Sequence, residues 1–133
     1  MRILNVIFIM LFLLSAGLQY NDPDPYLWIA IYMYGAFICY HALRQKCIPS
    51  LYIIGWIVYG TYAAYLFFSA DGVLSWWQQH KAENIAQSMK ATKPWIEATR
   101  EFFGLLILIF ALVINWAWLH KRQIKRGNRL ALP

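Results

Sequence analysis

Four long apolar runs constrain the fold of this chain more than any other feature. They are Ile3–Leu18, Leu27–Leu43, Leu51–Phe68 and Phe102–Leu119. As α-helices, runs of this length rise about 25 Å, and flanking Tyr and Trp residues would complete the crossing of a ~30 Å hydrocarbon core. The chain is 61% hydrophobic and 14% charged, whereas a soluble domain is about half apolar and a quarter charged. The sequence therefore predicts an all-α, polytopic membrane protein.

The spacing of the runs predicts one four-helix membrane domain over residues 1–133. Its antiparallel transmembrane helices are predicted at about 3–20, 26–43, 51–69 and 96–119. The turns at Asn21–Pro25 and Arg44–Ser50 are short, which makes the first three spans neighbours. The first run also has the form of a cleavable signal peptide, but the polar turn that follows it suits a helix-to-helix connection and favours a retained helix.

The connection between the third and fourth spans, residues 71–94, is long enough to hold structure of its own. Leu74, Trp77, Ile85 and Met89 recur there at roughly helical spacing among polar residues. This pattern predicts an amphipathic helix in the membrane interface, with tryptophan anchors. The alternative is an irregular, solvated loop.

The charged residues divide between the two sides that four crossings define. One side carries eight of the twelve basic residues: Arg2, Arg44, Lys46, Lys121, Arg122, Lys125, Arg126 and Arg129. The other side carries all six acids, Asp22, Asp24, Asp71, Glu83, Glu97 and Glu101, with the four remaining bases, Lys81, Lys90, Lys93 and Arg100. Because cytoplasmic flanks are enriched in Lys and Arg, both termini are predicted to be cytoplasmic. In a bacterium this membrane would be the inner membrane.

The C-terminal tail, residues 120–133, is strongly basic. Its predicted contacts with anionic lipid headgroups are made by Lys121, Arg122, Lys125 and Arg126. Nucleic-acid binding is not expected, although the chain carries a net charge of +6, because this tail is too short to form an independent nucleic-acid-binding module.

The first turn, Asn21–Pro25, contains two carboxylates. Asp24 before Pro25 is a typical helix start, with Asp at the N-cap and Pro at the first helical position. Asn21 is expected to end the first helix in the left-handed conformation. Asp22 has no role in this structural interpretation, which makes it a candidate functional residue.

A second polar group precedes the fourth apolar run. If a helix already runs here, started by Thr92 and Pro94, Glu97 and Glu101 are one turn apart on one face, with Arg100 beside them. Two carboxylates ~5–6 Å apart repel by about 3 kcal/mol at an effective dielectric constant near 20. Such a pair needs compensation from Arg100, a shared proton, the helix dipole or a cation.

Both polar groups lie on the predicted outer side, where a four-helix bundle would bring them to one pocket. The candidate ligand- or ion-binding residues are Asn21, Asp22, Asp24, Glu97, Arg100 and Glu101, and a metal ion would take Asp22, Glu97 and Glu101. The alternative is a purely structural hydrogen-bonded network. Asn115, near the end of the fourth run, is expected to hydrogen-bond a neighbouring helix.

The residues around the two polar groups resemble the signatures of the transmembrane protein 220 family. The first is Gln19-Tyr20-Asn21-Asp22-Pro23-Asp24, followed by Trp28 and Tyr32; the second is Glu97-x-x-Arg100-Glu101-x-x-Gly104-Leu105. Pro25 departs from the first signature and strengthens the helix start. The resemblance implies a small multi-span helical membrane protein with a retained first span, and it implies no substrate.

Three classes of function fit these features. In the first, the acids bind a cation or small polar ligand. In the second, the chain is an accessory subunit that docks a larger membrane partner. In the third, it is an intramembrane enzyme that uses Glu97 or Glu101 as general acid/base with Asp22 as partner. A homo-oligomer or a complex with another membrane protein is compatible with these features. The sequence contains no HExxH, GxSxG or cofactor motif. We therefore expect no cofactor, identify no catalytic residue, and favour the first two classes.

Overall fold

The chain folds into helices joined by turns. The structure, a computed structural model, describes residues 1–86 and 93–130. Its α-helices are α1 (Arg2–Leu18), α2 (Pro25–Leu43), α3 (Pro49–Phe68), α4 (Val73–Gln78) and α5 (Pro94–Leu130), and those residues contain no strand. Helices α1, α2, α3 and α5 are long and apolar enough to cross a membrane. The predicted all-α membrane fold is confirmed, and its natural environment is a lipid bilayer.

Proline marks the beginning of three of the long helices. Pro25, Pro49 and Pro94 are the first residues of α2, α3 and α5, a position where the missing N–H costs nothing and the fixed φ angle suits the helix. The predicted spans begin within two residues of these starts. Helix α5 continues eleven residues past Leu119, to Leu130, so the basic tail is helical over most of its length.

Asn21 does not adopt the left-handed conformation expected at the end of α1. Asn21 belongs to a 3-10 turn, Gln19–Asn21, and it does not have a positive φ, so that prediction is wrong. Gln45, after α2, has a φ of 60°. Its N–H donates to the Ala42 carbonyl and that of Lys46 to the His41 carbonyl, which is the Schellman arrangement. Helix α1 instead tightens into 3-10 geometry, which needs no left-handed residue.

The connection between α3 and α5 contains a shorter helix than the apolar spacing predicts. Helix α4 has six residues, and Ile85 lies beyond its end, while Met89 lies outside the described residues. The chain turns after Gln79, where Lys81 and Ala82 adopt positive φ angles. Two successive left-handed residues cannot continue a right-handed helix, so the helical pattern is interrupted there.

The chain forms two compact units. One is Met1–Gly55 with Phe110–Pro133, and the other is Trp56–Ile109. That the whole chain is one four-helix domain stays a prediction. In the first unit, four helical segments pack together. The rings of Phe12 on α1 and Tyr32 on α2 lie 6.4 Å apart. The Tyr34 hydroxyl donates to the Leu51 carbonyl over 2.8 Å, which ties α2 to α3. The Tyr52 and Trp116 rings, 5.4 Å apart, join α3 to α5.

A hydrogen bond between asparagines lies at the centre of the first unit. Asn115 Nδ2 on α5 donates to Asn5 Oδ1 on α1 over 2.8 Å, and it also lies 3.7 Å from Cys39 Sγ on α2. All three side chains are at most 1% exposed. Asn5 Nδ2 donates to the Met1 carbonyl. The prediction that Asn115 bonds a neighbouring helix is confirmed.

The second unit contains the later part of α3, α4 and the beginning of α5. The Phe67 and Phe102 rings lie 5.8 Å apart, and those of Trp76 and Phe103 lie 6.4 Å apart. Helix α4 follows α3 through a crowded turn at Gly72, whose N–H donates to the Ser69 carbonyl. These contacts hold α4 against the first turns of α5, where Glu97, Arg100 and Glu101 are located.

Candidate functional site

The turn between α1 and α2 holds Asp22 and Asp24 in extended and irregular backbone conformations. Asp22 has φ −75° and ψ 154°, and its N–H donates to the Gln19 carbonyl. Asp24 occupies the N-cap position of α2, with Pro25 at the first helical position, as predicted, but its carboxylate makes no capping hydrogen bond. Both aspartates are half-buried and Asn21 is exposed. The helix start therefore leaves the Asp24 side chain available for another partner.

The beginning of α5 places Glu97 and Glu101 one helical turn apart. The helix starts at Pro94, as required for this i,i+4 relationship, whereas Thr92 lies outside the described residues. Both glutamates are half-buried. The Thr99 hydroxyl between them is fully buried and donates to the Trp95 carbonyl over 2.6 Å. This hydrogen bond lies within α5, and the burial of Thr99 shows that the first turns of the helix are packed on the side away from the two glutamates as well.

Arg100 contacts the connection before α5. Its Nε donates to the carbonyl oxygen of Ile85, so the guanidinium holds the loop against the first turns of the helix. Each candidate group is thus assembled locally: Asn21, Asp22 and Asp24 on one turn, and Glu97, Arg100 and Glu101 on one helix. That the two groups share one pocket stays a prediction.

Glu83 lies at the centre of a third polar group and was not among the predicted site residues. Its carboxylate accepts hydrogen bonds from the Trp95 indole N–H and from Lys93 Nζ, the latter over 3.0 Å. The Trp76 indole N–H donates to the Glu83 backbone carbonyl over 2.8 Å. Two indoles and one ammonium group therefore fix a single loop residue between α4 and α5.

Stacked rings surround the Glu83 group. The His80 imidazole lies parallel to the Trp95 indole, with ring centroids 3.5 Å apart, and Lys93 Nζ lies 5.6 Å from the centroid of that indole. The ion pair is partly exposed, and such pairs contribute little to stability by themselves. The available sequence signal was the presence of tryptophans on both sides of a lone acid, Glu83, but the pattern does not specify which indole reaches it.

The pKa of Glu83 predicts a pH-dependent change in this loop. The hydrogen bond from Trp95 and then that from Lys93 hold the pKa of the carboxyl group below its ordinary value. Because the folded pKa is the lower one, the stabilising contribution is complete near neutral pH and is lost as pH falls through the folded pKa. We expect the Trp95 indole ¹⁵N–¹H resonance to shift with a midpoint below the ordinary glutamate value.

The control for this titration is substitution of single glutamates. In Glu83→Gln the shift of the Trp95 indole resonance should disappear, whereas in Glu97→Gln it should persist. A Trp95 titration that is unchanged in Glu83→Gln would assign the effect to another group and contradict the prediction.

The basic residues after Leu119 lie on the helical end of α5. Lys121, Arg122, Lys125 and Arg126, the predicted lipid-contact residues, are all exposed. The guanidinium carbon of Arg122 lies 5.0 Å from the centroid of the Trp118 ring, a geometry in which the ring face attracts the cation. Arg122 is thereby held next to the last turn of the apolar run.

Comparison with protein families gives one result that covers most of the chain. The model of the family described as "Transmembrane family 220, helix" matches residues 11–117, a range that includes both acidic groups. No curated protein and no solved structure matches the chain. The family match confirms the resemblance drawn from the two signatures and agrees with the four membrane-spanning helices. The chain therefore belongs to transmembrane family 220.

Proposed function

We propose that this integral membrane protein binds a cation or small polar ligand through the carboxylates of its outer acidic groups, Asp22, Asp24, Glu97 and Glu101. The observation that supports the proposal most directly is the start of α5 at Pro94, which places Glu97 and Glu101 one turn apart at half-buried positions. Partial burial reduces solvent screening of the repulsion between two carboxylates, so a cation that contacts both lowers the free energy of the site.

The uncapped carboxylate of Asp24 gives further support. An N-cap aspartate usually accepts a hydrogen bond from the helix N-terminus, and this one does not. Carboxylate oxygens are the preferred ligands of hard divalent cations such as Ca²⁺ and Mg²⁺. Asn21, Asp22 and Asp24 can supply amide and carboxylate oxygens from one turn, and Arg100 can orient an anionic or polar part of a ligand.

The test is a titration of the full chain in neutral-lipid nanodiscs with Ca²⁺ and, separately, Mn²⁺. Saturable binding by the wild-type protein should weaken about tenfold or more in Glu101→Gln and in Asp22→Asn, since each substitution removes one charged ligand. If both residues hold the same ion, the loss in the double variant should differ from the sum of the two single losses.

The matched control for cation binding is Glu83→Gln, which removes an acid already bonded to Lys93 and Trp95. It should bind the cation as the wild type does. Absence of saturable binding, or equal binding by all the variants, would contradict the proposal. Stoichiometric co-purification of another membrane protein together with either of those outcomes would instead support an accessory subunit.

We also propose that both termini are cytoplasmic, because eight of the twelve Lys and Arg residues lie on the side that holds them. In a background without Cys39 and Cys47, the variant Asn128→Cys should not be labelled by a membrane-impermeant maleimide in intact cells, because residue 128 lies on the proposed cytoplasmic side. The variant Gln79→Cys, on the opposite side, should be labelled by the same reagent. The reverse labelling pattern would invert the topology and move the acidic groups to the cytoplasmic face.

A further inference from the structure

The last three turns of α5 carry all their basic residues on one side of the helix. At about 100° per residue, Lys121, Arg122, Lys125, Arg126 and Arg129 fall within an arc of about 140°, and we name these five residues the basic face. Gln123 and Gly127 lie on the opposite side. Because α5 is helical to Leu130, this arrangement is a property of the structure and not only of the composition.

Within residues 1–86 and 93–130, the basic face is exposed and no acidic side chain pairs with it. Residues 120–130 are all exposed, and no acidic residue follows Glu101 in the sequence. The ion pair between Lys93 and Glu83 involves none of the five. Like charges at i,i+4, such as Lys121 with Lys125, disfavour the helix. An acidic partner placed along this side would remove that repulsion.

The length of the helix beyond Leu119 favours a protein partner over lipid for the last residues of the basic face. With a rise of about 1.5 Å per residue, Lys125, Arg126 and Arg129 lie about 9, 10 and 15 Å beyond Leu119. The headgroup layer is only about 5–8 Å thick, and a helix tilt of about 20° changes these heights little. Lys121 and Arg122 therefore lie at headgroup level. The Cα atoms of Lys125, Arg126 and Arg129 lie at the edge of that layer or beyond it. Interactions between exposed charges are largely screened beyond about 8 Å, so Arg129 is the residue least able to interact with lipid headgroups.

We propose that the basic face is a docking surface for an acidic segment of a partner protein. The surface is about 12 Å long, which matches two turns of an acidic helix or a short extended segment with repeated carboxylates. Charge complementarity of this kind fixes orientation and accelerates encounter. This inference does not depend on the proposed cation site at the acidic groups. It predicts that the partner binds at the C-terminal end of α5.

The test measures binding of a fluorescent peptide to the full chain in phosphatidylcholine nanodiscs. The peptide is a helix-forming 12-residue sequence with five glutamates on one face. The wild-type protein should bind it in a salt-sensitive manner. The triple variant Lys125→Gln, Arg126→Gln, Arg129→Gln should bind about tenfold or more weakly, whereas Lys121→Gln with Arg122→Gln should lose less.

A charge-matched variant tests the face itself. Exchanging neighbours, with Arg122→Gln, Gln123→Arg, Arg126→Gly and Gly127→Arg, keeps the composition and net charge but moves two charges to the opposite side. We expect this variant to bind the peptide several-fold more weakly than the wild type. Equal binding would show attraction by net charge only and overturn the proposal. Loss of peptide binding when phosphatidylserine is added to the nanodisc would also overturn it, because lipid would then be the occupant.

Discussion

Replacing Asn5 with leucine destabilises the first unit by about 1–3 kcal/mol, because it leaves a buried amide on α5 without its main partner. Asn115 is fully buried and donates to Asn5 Oδ1. Within the described part of the chain, Asn115 Oδ1 has no hydrogen-bond partner. In Asn5→Leu the Asn115 amide would retain only the weak acceptor Cys39 Sγ, 3.7 Å away. An amide so poorly satisfied in an apolar interior carries most of its desolvation cost.

Asn115→Leu should be less damaging than Asn5→Leu. It leaves Asn5 Oδ1 without a donor, but it also removes the unpartnered Asn115 Oδ1, so the number of buried orphan acceptors is unchanged. Replacing both asparagines removes every orphan group at this contact. The double variant should therefore be more stable than the sum of the two single effects predicts, with a coupling of about 0.6–1.7 kcal/mol, as found for other hydrogen bonds between membrane helices.

The free energy of unfolding of the four proteins can be measured in mixed micelles with increasing dodecyl sulfate. The lipid-facing substitution Val113→Leu is the control, since Val113 is 48% exposed on the same helix, and it should change the stability little. Additive single effects would show that the two asparagines do not act as a pair. A larger loss in Asn115→Leu than in Asn5→Leu would contradict the argument from the orphan acceptor.

The membrane-spanning helices could be predicted from sequence because their signals are local. Apolar runs set the spans, and Pro25, Pro49 and Pro94 set three of the helix starts. The contact of Asn115 with another helix also followed from its position, since an amide in an apolar span requires a partner. Which residue it meets depends on helix packing, and Asn5 lies 110 residues away.

Other features depend on contacts and helix-end geometry that local residue patterns do not specify. The i,i+4 pair Glu97 and Glu101 followed from Pro94, but Glu83 was missed because its partners, Trp95 and Lys93, reach it across the loop. Left-handed geometry favours Asn over Gln, yet Gln45 adopts it, because the helix there closes with a Schellman pair of bonds. The basic tail continues as helix because Lys, Arg and Gln are good helix formers.

Gly72→Ala is expected to disrupt the turn that joins α3 to α4. A Cβ atom at this position would lie 2.0 Å from the Leu66 carbonyl oxygen and 2.6 Å from Ser69 Oγ. The Ser69 side chain can rotate away, but the carbonyl belongs to the last turns of α3 and moves only if the backbone does. Relief therefore requires a shift of α4 that weakens the hydrogen bond from the Gly72 N–H to the Ser69 carbonyl, 3.0 Å long in the native turn.

We expect Gly72→Ala to cost about 1–3 kcal/mol, the usual range for overpacking, and to act mainly on the second unit. Hydrogen exchange of the Trp76 and Gln79 amides, which donate to the residue 72 and Ser75 carbonyls, should accelerate about tenfold or more. Gly60→Ala is the matched control: a Cβ there meets nothing within 4 Å, and alanine is the better residue inside a helix by about 0.5–1 kcal/mol. The same chemical change should thus have opposite signs at the two glycines. Unaltered exchange in Gly72→Ala would show that the turn accommodates a methyl group, and that α4 is not fixed by this close approach.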